Sequence, residues 1–189
     1  MTVIGITGGS GCGKTTLLKR IEALGGLCID CDALYHRLLA EDGAMIGAIL
    51  QRFPGVGSGG SIDRKKLGAI VFSDPAALQD LNRITHGRVK EKVAELLAES
   101  PASLAAIDAI GLFESGLDKL CSVTVAVTAP KEQRIARLMA RDQISRDYAE
   151  SRIAAQRRDE DFSQLCDHTL VNDSSAEEFE KKCDEFLKD

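Results

Sequence analysis

Long apolar runs are missing from this chain of 189 residues. That absence excludes a membrane-spanning helix, which needs about 20 consecutive apolar residues. The opening stretch MTVIGITGGS lacks the basic segment, extended apolar region and small-residue cleavage site of a secretion signal, so a cytoplasmic location is expected. No block of Lys and Arg stands out, and the net charge is −5. Tracking the phosphates of a long nucleic acid is therefore not expected, and any bound phosphate should belong to a small ligand. Cysteines are present but poorly spaced for metal or redox work. Cys12, Cys28, Cys31, Cys121, Cys166 and Cys183 are scattered. Cys28 and Cys31 form a CxxC, yet the second pair or matching histidines of a zinc site are lacking, and so is the helix-opening position of a redox pair. Reduced, mostly buried thiols are the expectation.

What is present is ordinary globular composition, 44% hydrophobic and 28% charged, in a length that suits one core with inserted segments. Apolar runs alternate with amphipathic stretches, which predicts an α/β fold around a parallel sheet. Strands are expected at Thr2 to Thr7, Leu27 to Asp30, Leu104 to Ile110, Ser122 to Thr128 and His168 to Val171. Helices are expected from Lys14 to Leu24, Pro130 to Asp142, Arg146 to Arg158 and Ala176 to Leu187. Between Ala33 and Ser100 no strand is expected. Helical spacing of Leu78, Leu81, Ile84, Val89, Val93, Leu96 and Leu97 points instead to a helical insertion. The glycine-rich piece from Pro54 to Ser61 has no following Lys-Ser/Thr and no preceding strand, so a flexible connector is expected there.

The strongest motif is Gly8-Gly9-Ser10-Gly11-Cys12-Gly13-Lys14-Thr15, which fits GxxxxGK[ST] between an expected strand and an expected helix. The glycines let the backbone curl so that successive N–H groups point inward, and the helix start adds partial positive charge. Lys14 would reach the β- and γ-phosphates, the Thr15 hydroxyl would sit on Mg²⁺, and Thr16 would lie by the α-phosphate.

A phosphate loop does not by itself separate kinases from switches or motors. The second strand runs into Asp30-Cys31-Asp32, expected at the carboxyl edge of a strand beside the loop-bearing one. Residues two apart on extended backbone face the same way, so both carboxylates are candidates to accept a hydroxyl proton; Asp32 also reads as a helix N-cap. Asp108 ends a strand, where it either supports Mg²⁺ through water or only forms a turn. Arg134, Arg137 and Arg141 share a helical face, which reads either as a lid closing over phosphate or as a solvated face paired with Glu132 and Asp142.

Four stretches then carry a specific likeness: GITGGSGCGKTT, LCIDCDALYHRLL, GSIDRKKLGAIVFSDPAALQDLNRITH, and APKEQRIARLMARDQISRDYAESRIAAQ with LVNDSS behind it. In these the whole chain resembles the dephospho-CoA kinase family. The resemblance implies a P-loop NTPase core of three layers, about residues 1–32, 101–133 and 164–189. It also implies a helical substrate-side insertion at about 33–100 and a lid at about 134–163. The implied reaction is phosphorylation of the ribose 3′-hydroxyl of dephospho-CoA by ATP with Mg²⁺, the last step of coenzyme A biosynthesis. Carried over by position, Asp32 matches the catalytic base, and Gly8, Gly9 and Gly11 to Thr16, Cys12 and Gly13 included, match the ATP loop. Arg141 matches a lid arginine, Asn172 to Ser175 a loop beside adenine, and His86 a substrate-side histidine. Glu114 closes the stretch Ile110 to Glu114, which matches a substrate loop. Three positions depart from the pattern: Gly87 stands for a proline, Gly111 lies where Leu is usual, and Ser174 stands for a glycine. Two rivals share parts of this equipment, a kinase of another small alcohol or nucleotide and a nucleotide-dependent switch. No NKxD-like guanine motif supports the switch. A monomer is the default expectation.

Overall fold

The computed structural model describes residues 1–58 and 61–188. Along the chain run β1 (Thr2–Thr7), α1 (Lys14–Ala23), β2 (Leu27–Asp30), α2 (Cys31–Glu41), α3 (Gly43–Arg52), β3 (Gly57–Ser58), β4 (Ser61–Ile62), α4 (Arg64–Ser73) and α5 (Pro75–Glu99). After them come β5 (Leu104–Asp108), a 3-10 turn (Leu117–Leu120), β6 (Val123–Thr128), α6 (Lys131–Asp142), α7 (Arg146–Ala154), α8 (Asp159–Leu165), β7 (His168–Val171) and α9 (Ala176–Phe186). These elements fall into two compact units, Met1–Ile29 with Ser100–Asp189, and Asp30–Glu99.

The first unit is built on a sheet of order β2-β5-β1-β6-β7, in which β1 pairs in parallel with β5 and with β6, and β6 with β7. This corrects one expectation, since β5 stands between β1 and β2. The reason lies in burial. β5 matches β1 from Thr2↔Leu104 to Ile6↔Asp108 and buries its three central residues, whereas β2 has one buried residue in four, the profile of an edge strand. Alternate residues of β1 face two layers. Ile4 and Ile6 pack with Leu17 and Ile21 of α1 and with Phe179 and Cys183 of α9, and full burial of such a Leu or Ile side chain contributes about 1.5–3 kcal/mol. On the other face Gly5 lies so close to Leu112 and Cys121 that an added Cβ would meet them at 2.9 and 2.7 Å.

Beyond β6, Pro130 caps α6, and α6 and α7 bury Ile135, Leu138 and Ala149 against each other, flanked by Ile144 and Ile153. Gln143, at φ 53°, ends α6 in the left-handed region. The helix expected from Arg146 to Arg158 is shorter: α7 stops at Ala154, and a further helix that was not expected, α8, starts at Asp159, just beyond the expected end. Asp159, Glu160 and Asp161 in the first turn of α8 suit the positive end of a helix, and Phe162 locks it into the core at 1% exposure.

The second unit is helical, with Leu34, Leu38, Met45, Ile49, Leu67, Leu81, Val89 and Val93 buried among α2 to α5. Arg88 ties α5 to the N-cap of α3 through Asp42 at 2.6 Å, and Arg52 ties α3 to Asp80 at 2.7 Å. Part of the expected connector is ordered: β3 and β4 form an antiparallel pair, Gly57↔Ile62 and Ser58↔Ser61. Gly59 and Gly60, at the centre of that stretch, lie outside the described residues.

Candidate active site

The site grows from the turn between β1 and α1. Three of its glycines carry positive φ, Gly8 at 140°, Gly11 at 81° and Gly13 at 105°, values that a residue with a side chain adopts only with strain. The surroundings demand glycine as well. An added Cβ on Gly8 would lie 2.1 Å from the Val127 carbonyl oxygen, on Gly9 2.0 Å from Arg134 Nη2, and on Gly13 2.3 Å from Asn172 Nδ2. Gly13 is the N-cap of α1, no side chain caps that helix, and its first turn holds no acidic residue. No side chain competes there with an external anion, in a field that favours negative charge.

Lys14 opens α1, and its ammonium donates to the Gly8 carbonyl at 2.9 Å and stands 3.9 Å from the Asp108 carboxylate. Thr15 is exposed and Thr16 half-buried in the same turn. Asp108, at the end of β5, is thus brought to the loop lysine by parallel pairing. Cys12 is fully buried beneath the loop. Burial pushes its thiol above the usual value, with nearby Arg134 and Lys14 opposing only part of the rise. A protonated, inaccessible thiol is a poor nucleophile. In iodoacetamide at pH 7.5 Cys12 should stay unlabelled in the native protein and be labelled after denaturation, as read by mass spectrometry; native labelling with loss of activity would contradict this burial.

The expected arginine row divides. Arg134 is buried at 4% exposure and holds the loop from below: its Nε donates to the Ser10 carbonyl at 3.0 Å and its Nη1 to Asp159 at 2.8 Å. Arg137 donates to the Gly11 carbonyl at 3.2 Å and to Asn172 Oδ1 at 3.1 Å. Arg141 is exposed and pairs with Asp142, which also receives Arg152. Arg141 is thus held at the surface by Asp142, whereas Arg134 and Arg137 brace the phosphate loop.

Asn172 is likewise a brace. It is buried, and its Nδ2 donates to the Cys12 carbonyl at 2.8 Å. Ser175 caps α9 in a reciprocal arrangement with Glu178. Glu114 pairs with Arg157. Sequence reasoning assigned no role to Gln156 and Asp159, which reach the loop through Ser10 and Arg134; Gln156 ends the fourth stretch of likeness, and Asp159 lies outside all four.

In the second unit the capping expectation is corrected. Asp30, not Asp32, is the N-cap of α2, accepting from the Ala33 N–H at 2.9 Å. Asp32 lies one residue inside the helix, exposed, in its first turn, so the two carboxylates are not successive same-side residues of a strand. His86 is half-buried on α5, which continues through Gly87, and a Cβ at Gly87 would meet open space.

The family model described as dephospho-CoA kinase matches residues 2–178. The chain belongs to the dephospho-CoA kinase family. Among curated dephospho-CoA kinases it is 38% identical to one from Moorella thermoacetica, over 82% of this chain and 76% of that protein. With one from Dehalococcoides mccartyi it shares 36% identity over 99% of this chain and 96% of that protein. A solved structure from Thermus thermophilus superimposes with TM-score 0.82 at 33% identity, covering 99% of this chain and 96% of the other. The dephospho-CoA kinase of Campylobacter jejuni gives 0.67 at 27% identity, covering 98% and 95%. A shikimate kinase from Acinetobacter baumannii, 16% identical with TM-score 0.55 over 100% of this chain and 92% of that one, shares the fold.

Proposed function

We propose that this protein transfers the γ-phosphoryl group of ATP to the ribose 3′-hydroxyl of dephospho-CoA, giving ADP and coenzyme A. It is an ATP-dependent kinase, a transferase. The observation that carries this reading is a glycine-rich turn, Gly8 to Thr15, with a glycine N-cap, no side-chain cap and the loop lysine at the helix start, in a chain matched by the dephospho-CoA kinase model from residue 2 to residue 178.

In the proposed mechanism the nest between Gly11 and Thr16 binds the triphosphate and Lys14 neutralises the transferring group. Asp32 orients the acceptor hydroxyl and takes its proton; His86 and Glu114 belong to the substrate side. Arg141 contributes charge near the phosphates by exchanging its Asp142 partner. The Thr15 hydroxyl and the Asp108 carboxylate are hard oxygen donors of the kind Mg²⁺ takes. Among the described residues no group of three or more acidic, His or Cys side chains could hold a metal ion. When bound, Mg²⁺ would supply charge neutralisation on the phosphates. The described residues contain no helix long and apolar enough to cross a membrane.

A coupled ADP-release assay with dephospho-CoA, pantetheine, adenosine and AMP tests the reading. Turnover is expected with dephospho-CoA and at most a trace with the others. Preference for AMP would transfer the chain to the nucleotide kinases, and ATP loss without any acceptor would make it a switch.

A further inference from the structure

The segment that joins α7 to α8 reaches back to the phosphate loop through one side chain. Gln156 Oε1 accepts from the Ser10 N–H at 2.8 Å, and Gln156 Nε2 donates to Ser10 Oγ at 2.8 Å. The third polar group of Ser10, its carbonyl, accepts from Arg134, whose Nη2 also donates to Gln156 Oε1 at 3.3 Å. Ser10 is buried at 8% exposure. Every hydrogen-bonding group of this residue is therefore held by α6 or by the α7–α8 junction. The neighbouring glycine is fitted to the same contact, since a Cβ on Gly9 would stand 3.1 Å from Gln156 Oε1.

We propose that Gln156 is a positioning residue for ATP: its carboxamide fixes the orientation of the Ser10 peptide, and with it the curvature of the nest that runs from Gly11 to Thr16. The chemistry suits a carboxamide. It offers an acceptor and a donor a little over 2 Å apart, and Ser10 presents the matching N–H and Oγ on one residue. It does so without a charge, whereas a carboxylate here would add repulsion beside a polyphosphate. Because the Ser10 N–H is directed to Gln156, it is not a phosphate donor; it is the hinge peptide that sets where the following donors point. Preorganised donors bind an anion without the entropic cost of ordering a mobile loop.

The inference rests on the kinase reading, and the experiment separates the two. Wild-type turnover of dephospho-CoA with ATP decides the reading; the ratio of variant to wild type decides the role of Gln156. In Gln156→Met, which keeps the volume and removes both hydrogen bonds, KM for ATP is expected to rise roughly tenfold. KM for dephospho-CoA should stay within about twofold and kcat change little, because the acceptor side is untouched. Ser10→Ala removes only the Oγ bond, so KM for ATP should rise about two- to threefold alone and no further in the Gln156→Met background. An unchanged KM for ATP in Gln156→Met overturns the proposal, and so does a joint rise of both KM values that tracks a fall in Tm. If Gln156→Met does not fold, Ser10→Ala decides by itself: a selective rise in KM for ATP supports the role, and a wild-type value overturns it.

Discussion

Asp32→Asn is expected to lower kcat by roughly 10²–10⁴, the range removed when a positioned general base is lost, while KM for ATP stays within about twofold. The fold is compatible with this proposed role. The residue before Cys31, Asp30, already performs the helix-capping task through the Ala33 N–H at 2.9 Å. Asp32 is thereby relieved of that duty and stays exposed in the first turn of α2. Asparagine at position 32 keeps the size and the helix but cannot accept a proton. Asp30→Asn is the matching control, since Asn caps a helix about as well as Asp, and turnover should be nearly that of the wild type. Steady-state kinetics with Tm recorded for both variants settles the point. Retained turnover in Asp32→Asn removes Asp32 from the mechanism, and a large loss in Asp30→Asn instead would move the base to that residue.

How far such residues can be read without a structure depends on how local their causes are. The loop Gly8 to Thr15 was fully legible, because strand, turn and helix start are adjacent and the glycine requirement is a backbone property. The five strands of the parallel sheet and helices α1, α6 and α9 were legible to within a few residues for the same reason, whereas the short pair β3–β4 falls where no strand was expected. The position of β2 was not, because the choice of neighbour for β1 rests on competition between distant segments for a buried place, and Leu104–Asp108 wins it. Periodicity carried the pattern of Arg146 to Arg158 past Ala154, where α7 stops, and gave no sign of α8, whose acidic first turn and buried Phe162 start a new helix at Asp159. Spacings of three and four made Arg134, Arg137 and Arg141 look alike on one helical face. Their partners separate them, since the first two bond the loop and the third pairs with Asp142. The resemblance marked Asn172 as lying beside adenine, but not its bond to Cys12, 160 residues away, nor that of Gln156 to Ser10 at 146 residues; contacts of that range leave no local trace.

Lys14→Met should lower turnover by roughly 10²–10³, the loss seen when one charged or hydrogen-bonding contact to a developing anion is removed, and it should also weaken ATP binding measured by calorimetry. The two effects share one cause, since the ammonium stands over the mouth of the nest, 2.9 Å from the Gly8 carbonyl oxygen. Methionine preserves the stem and the helix while deleting the charge. A competing explanation is structural, because the same ammonium lies 3.9 Å from Asp108, both side chains being mostly buried at 14% and 18% exposure. Losing the cation beside that carboxylate should cost about 1 kcal/mol of stability. The double variant Lys14→Met/Asp108→Asn distinguishes the explanations. Neutralising Asp108 should return most of the lost Tm, because no carboxylate then faces the methionine, yet turnover and ATP affinity should remain low. Recovery of ATP binding in the double variant would show that Lys14 acts by balancing Asp108 and not by gripping phosphate, and the proposed role of the loop lysine would fall.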